Sequence, residues 1–492
     1  MTMTRRRLLE TAGSVLAATA LPRPSVSAAG GAPPIDEKTG GISPVMTTLS
    51  EYISGASGRA LPAAVIDHTK YHTLDTIAAM VSGSELPPGK AAFAFARMYS
   101  EKTSTVAGST LLCGPIEAAF VNAMLAHADE TDDSHAPSQS HPGCAIVPAA
   151  LAVGEQFGID GTALLRAVTV GYDVGTRFTM TLGVGGFQTE GHISTHALAS
   201  LFGAAAASAS AARLTPQQVR WVLDYTVQQT SGTKAWQRDT DHIEKAFVFA
   251  GVGARGGVMA TELVHHGATG VEDVLSGADN FFAVYGPHAD PTRLVDKLGS
   301  QYEVVRTNIK KWTVGSPIQA PLDALENLQK RKPFDADSVR QVIVRVATSE
   351  AALVNNRDMP DICMQHMVAV MLVDKTASFA AAHDKPRMQD PRILKAREKI
   401  QLVPDAALEA QLPKRIAVVE ITFADGSRVS ERVEAVRGTA ENPMTREEVV
   451  AKCRDLLSPV LGAPKSGRLI DAVLGLESVK DVRTLRPLLQ RS

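Results

Sequence analysis

From about residue 46 to residue 267 the apolar positions recur at helical spacing. Ile66, Tyr71, Leu74, Ile77 and Met80 fall on one helix face, and few β-branched alternations interrupt the region. Thr215-Pro216-Gln217-Gln218 predicts a helix start. Thr215 caps, Gln218 reaches back, and Pro216 stands where its missing N–H costs nothing. Strand signals appear later, at Val339 to Val346, Ile416 to Phe423 and Val429 to Val436. Ala424-Asp425-Gly426-Ser427 joins the last two as a hairpin turn. Helices are expected among them near 316–330 and 361–383, and Thr445-Arg446-Glu447-Glu448 is a second capping box, opening a C-terminal helix. No repeat of fixed period is present. The expected fold is mainly α: a large helical domain (45–267), a smaller α/β (α+β) lid domain (268–440), and C-terminal helices (441–492) that return to the first.

Composition narrows the function classes. Apolar residues at 45% and charged residues at 21% suit a soluble globular chain. Fifty Lys and Arg stand against 52 Asp and Glu, so no sequence-wide basic field exists to attract nucleic acid or a membrane surface. Aromatics at 5% are too few for a base-stacking platform. The four cysteines are far apart and form no CxxC pair, which argues against a disulfide scaffold or a zinc or iron–sulfur site. Ala204 to Ala212 is apolar but short and Ala/Ser-rich, so a tightly packed internal helix is expected and no stable membrane insertion.

The N-terminus has its own pattern. Arg5-Arg6-Arg7 precedes an apolar stretch from Ser14 to Leu21, and Val26-Ser27-Ala28 offers small residues for cleavage. The paired arginines before Leu8-Leu9 resemble a twin-arginine signal. Residues 1–28 are therefore read as a signal peptide, 29–44 as a flexible leader, and the mature protein as exported to the periplasm.

Residues 127–142 carry the densest chemistry: four acids and three histidines between two apolar helical runs, Ile116 to Leu125 and Ala145 to Val153. Carboxylates and imidazoles held together can set each other's pKa values and supply a general acid–base pair. A solvated loop whose acids cap helices is the plainer alternative. A metal site is a weaker one, because no HExxH-like pair is present. Gly251-Val-Gly-Ala-Arg-Gly256 spells GxGxxG but follows a helical run, so it is not read as a dinucleotide loop. His366, on an apolar helix, reads as a packed core residue.

This segment resembles the signature of the MmgE/PrpD (2-methylcitrate dehydratase) family, with its H-x-x-D-x-D-D-T…H-P stretch. Further resemblances follow in order: His72 to Met80, Gly191 to His196 running into Phe202 to Ala207, Glu244 to Phe247, Asn308 to Trp312, Leu322 to Ala324, and Leu476 to Arg483. Together they span about residues 46–490. The resemblance implies a lyase acting on a small polycarboxylate, by dehydration or hydration of a 2-methylcitrate-like acid. Decarboxylation or epimerisation of a related acid starts from the same proton abstraction. A binding protein that kept the fold without the reaction is the remaining class.

Carried over by motif, the family's catalytic positions fall on Glu130, Ser134, His141, Lys245 and one of two histidines. The local context favours His192 for that place, with His196, Asp133 and Lys311 as substrate-binding residues. One extra residue precedes His141, and one is inserted after Lys245. The histidine usual near the family lysine is replaced by Val248 or Phe249. A lid-domain histidine of some members, cis-aconitate decarboxylases among them, maps onto Gly315. No metal or other cofactor is implied, and the family resemblance implies a homodimer.

Overall fold

Small residues set how closely the central helices approach. Helices Gly161–Thr181 and Thr195–Ala211 pack where a Cβ on Gly175 would lie 2.3 Å from the Ala199 carbonyl oxygen. Helix Val252–His265 approaches equally closely: a Cβ on Gly257 would lie 2.4 Å from the Ala205 nitrogen. The Ala204 to Ala211 run is consumed in these contacts and buried within the chain. Any second copy must therefore dock elsewhere. Phe178 stacks on Phe202 at 3.6 Å, with Phe281 edge-on to both.

The computed structural model describes residues 41–99, 103–183 and 191–491. The expected signal and residues 29–40 of the leader lie outside these. Ile42–Ser492 forms one compact unit. Helices Ala63–Gly83, Pro115–Ala126 and Gly143–Phe157 share their apolar core with Val449, Leu456, Leu469, Ile470 and Val473 of the C-terminal helices Arg446–Leu461 and Ala463–Leu474. Both capping boxes form, at Thr215/Gln218 and Thr445/Glu448. The continuous run Ile243–His265 is long and apolar enough to cross a membrane, yet most of it is buried in protein, as a core helix would be.

A second core runs from Trp312 to Val436 around a four-stranded sheet. The order is Ile400–Asp405, Val339–Ala347, Ala417–Phe423, Arg428–Val433; the first pair is parallel and the others antiparallel. Helices Ser316–Arg331 and Met364–Asp374 pack on the sheet through Ile318, Leu322, Met367 and Val370. The hairpin closes at 424–427, with Gly426 at φ 85° and Phe423 N–H donating to the Ser427 carbonyl. Two features differ from the sequence reading. The short edge strand Ile400–Asp405 carries Pro404, tolerated there because an edge strand need not donate on both sides. Residues 274–294, assigned above to the lid, pack with Phe178 and Phe202 in the helical core because Val274, Phe281, Phe282 and Leu294 find their apolar partners there.

Candidate active site

The acid–histidine segment is a rigid connector. It leaves helix Pro115–Ala126 at His127 and enters helix Gly143–Phe157. Four parts of the chain hold it. Asp133 accepts from the Gly143 N–H at 3.0 Å, lies 2.9 Å from His72 Nδ1, and accepts from the Tyr172 hydroxyl. Lys452, from the returning C-terminal helix, donates to the Thr131 carbonyl at 2.9 Å and pairs with Asp75 at 2.6 Å. His135 Nε2 lies 3.1 Å from Glu303. Ser134 and Asn308 exchange backbone hydrogen bonds of 3.0 and 2.8 Å. The solvated-loop alternative is therefore overturned: Asp129, Glu130, Asp132 and Asp133 are all buried.

Within that frame Asp132 sits between two imidazoles, 2.9 Å from His127 Nδ1 and 3.3 Å from His141 Nδ1. Burial pushes its carboxyl up, but the two histidines overcome this and hold it well below the usual carboxylate range. Burial lowers the pKa of His141, against the pull of Asp132. His141 is thus a neutral imidazole near neutral pH. Asp132 beside Nδ1 favours the tautomer with the proton there, leaving a lone pair on Nε2. That is the form a general base requires.

Glu130 is the second anchor. Lys245 Nζ donates to its Oε1, and Lys310 Nζ donates to its Oε2 at 3.2 Å and to its carbonyl at 2.8 Å. Burial opposes ionisation of Glu130, yet Lys245 and Lys310 hold its pKa well below normal. Lys310 is 3% exposed; burial lowers its pKa, but Glu130 and Asp132 raise it above the usual lysine value.

Lys245 closes a short helix, Ile243–Ala246, that passes into a π-helical turn, Phe247–Gly251. This wider turn absorbs the inserted residue without breaking the helix. It turns Phe249 into the site, where the ring stacks on His196 at 3.7 Å and on His127 at 4.7 Å. Lys245 Nζ lies 5.1 Å from the centre of the Phe249 ring. His242, three residues before Lys245, is buried 5.2 Å from the His127 ring. Burial, then Lys245, depresses its pKa well below normal, and burial with His141 does the same to His196.

A cavity of about 200 Å³ opens over these groups. Glu130, His141, His196, Lys245 and Phe249 line one wall, and Gly315, Arg357 and Ile362 of the sheet-bearing part line the other. A larger neighbouring cavity of about 380 Å³ is lined by Ser134, Lys310 and Arg437; Ser316 and Arg415 border both. The smaller holds the acid–base groups and is the candidate site.

These observations place the residues named from sequence. Glu130, His141, Lys245 and His196 meet at one cavity. Ser134 does not line it; its backbone is tied to Asn308 and it borders the neighbouring cavity. His192 is exposed, at φ 55°, and lines neither cavity, so His196 holds the place expected for it. Asp133 is a buried brace whose two oxygens are already engaged. Lys311 pairs outward with Glu326 at 2.5 Å, and Lys310 is the lysine that turns inward. Asp132, His242 and Arg357 were not named as site residues from sequence, and of the Lys310–Lys311 pair the sequence reading chose Lys311. His242 was legible as a histidine on the Lys245 motif; Arg357 had no signal.

Residues 47–294 match the family model described as the MmgE/PrpD N-terminal domain, and residues 312–478 match the MmgE/PrpD C-terminal domain. The chain belongs to the MmgE/PrpD family. It is 26% identical over 482 residues to a cis-aconitate decarboxylase of Aspergillus terreus, covering 90% of this chain and 96% of that protein. Identity to the cis-aconitate decarboxylases of Mus musculus and Homo sapiens is 24%, over 469 and 457 residues. These cover 91% and 87% of this chain, and 93% and 90% of the mouse and human proteins.

One metal arrangement fits this MmgE/PrpD site in part. His127, Asp132 and His141 each place a ligand atom within 4.8 Å of the others, a donor set that a divalent ion accepts. The Lys310 ammonium, 3.9 Å from Asp132 Oδ1, already puts a positive charge against that carboxylate and opposes a second cation.

Proposed function

We propose that the protein is a lyase that removes the proton on the carbon next to a carboxylate in a small polycarboxylate, with His141 as base. His141 on the cavity wall, backed by the buried Asp132 carboxylate, carries this reading. His141 Nε2 takes the C–H proton. The charge that develops on the neighbouring carboxylate is met by Lys245 and by the field of buried Lys310. In dehydration the electron pair forms the C=C bond and the departing hydroxyl leaves as water. Among the described groups that line the cavity from the helical side, Glu130 and Asp239 are ionised and His141, His196 and His242 are neutral, which leaves the Lys245 ammonium to protonate that hydroxyl.

Dehydration of a 2-methylcitrate-like acid is the preferred reaction, because Gly315 stands where decarboxylating relatives carry a lid histidine. Decarboxylation is the second reading, supported by similarity to cis-aconitate decarboxylases over about nine-tenths of the chain. The test is incubation with 2-methylcitrate, citrate, cis-aconitate and malate in heavy water, read by NMR, with carbon dioxide release measured alongside. Deuterium incorporation beside a carboxylate is expected, without carbon dioxide. Carbon dioxide from cis-aconitate would establish the second reading. No exchange and no product with any acid would overturn both.

A further inference from the structure

Among the described residues, Arg357 is the cation on the cavity wall that has no partner. Lys245 is paired with Glu130, and Arg415 with Glu350 at 2.5 Å. Lys310 is buried against Glu130. Arg357 follows helix Thr348–Val354, is half-buried, and lines the cavity beside Val354, Met359 and Ile362. Among the described residues no carboxylate pairs with its guanidinium and no acceptor holds it. An arginine with apolar neighbours and no internal counter-ion is poised for an anion from outside. Its planar fork matches a carboxylate bidentately. Gly315, on the same wall, leaves room for one. A Cβ there would meet nothing nearer than Ile362 Cγ2 at 3.4 Å, and its negative φ does not require glycine.

We propose that Arg357 binds a carboxylate of the substrate remote from the reacting carbon, in the space beside Gly315, and so sets the preference for polycarboxylates. This rests on the acid–base reading of the same cavity. The reacting end meets His141 and Lys245 from the helical wall, and the remote carboxylate meets Arg357 from the sheet-bearing wall. The proposal thereby gives the lid a selective task and leaves the chemistry on the other side.

The test uses two unreactive probes, propane-1,2,3-tricarboxylate and its terminal monoamide, titrated calorimetrically into the full-length protein and its Arg357→Gln and Arg357→Lys variants. The wild type should bind the tricarboxylate about 10-fold more tightly than the monoamide. Arg357→Gln should bind the two about equally, and Arg357→Lys should fall between. Melting curves establish that each variant is folded. A preference retained in Arg357→Gln, or none in the wild type, overturns the role of Arg357 and leaves the acid–base reading standing. Failure of the wild type to bind either probe at millimolar concentration overturns both.

Discussion

Asp132 Oδ1 lies 3.3 Å from His141 Nδ1, at zero exposure, beneath a ring that lines the cavity. Removing the ring removes the base. His141→Ala should slow deuterium exchange by about 100-fold or more, with a melting temperature close to wild type. Asp132→Asn keeps the shape but withdraws the charge that favours the Nδ1–H tautomer and offers an amide in its place. A loss on the order of 100-fold in kcat is expected there too. Full exchange in both variants would sink the assignment of the base.

The pH profile follows from the burial of His141. Its pKa in the free protein is below 6.5, and the protonated form is the inactive one. Activity should therefore hold from neutral pH down past 6.5, with the acid limb of kcat/KM centred below that value. Asp132 raises the pKa of His141, so Asp132→Asn should move the limb lower still. Steady-state kinetics across pH 5 to 8 on both proteins checks the direction. A limb centred above 6.5 contradicts a buried neutral base.

Much of the frame is legible in the sequence, and what is not legible there shares one cause. Thr215 and Thr445 announced their helices because a capping box is a local device. Ala424 to Ser427 announced its hairpin for the same reason. The His192–His196 choice was not local. His196 lies in the first turn of helix Thr195–Ala211 and is carried into the site by it, whereas His192 stands outside the helix start. Lys310 and Lys311 lie in an irregular stretch where no period says which side chain turns inward. Asp133 reads in the sequence as a substrate-binding residue, but His72 and Tyr172, from two distant helices, engage its carboxylate.

The adjacent lysines should part company when tested. Lys310→Ala removes a buried ammonium and leaves Glu130 and Asp132 with less compensation, a loss of roughly 3–5 kcal/mol for breaking a buried pair. Lys311 keeps 17% of its side chain exposed in its pair with Glu326, against 2% for Lys310, and Lys311→Ala should cost less, roughly 1–2 kcal/mol. Denaturant unfolding of the two variants measures both. Similar losses would mean that the inward and outward assignments are wrong.

Export and assembly stand as proposals. The arginine pair at 5–6 motivates a folded-state export route, which Arg5→Lys with Arg6→Lys should block when a tagged protein is fractionated. Full export of that variant, or a wild type that stays in the cytosol, removes the proposal. A homodimer is proposed from the family. Sedimentation at micromolar concentration should give about twice the 52.1 kDa chain mass, less any cleaved leader, and a lone monomer would end that proposal.

His383 ties helix Phe379–His383 of the sheet-bearing part to the acid connector, and the tie depends on pH. Its Nδ1 donates to the Phe379 carbonyl at 2.8 Å, and its Nε2 lies 2.8 Å from Asp129 Oδ2. Burial disfavours the imidazolium, but the ion pair with Asp129, aided by the charge on Asp361, prevails and lifts the pKa to about 9. A group that binds its proton more tightly when folded stabilises the fold fully below its unfolded pKa, 6.5 here. That stability is lost as pH rises through about 9. The contribution is at most about 3 kcal/mol. His383→Gln should therefore melt lower than wild type at pH 6, and the gap should narrow by pH 9.5. Thermal melts of the two proteins across that range measure it. A gap that stays constant with pH would mean that His383 is held neutral and contributes packing alone.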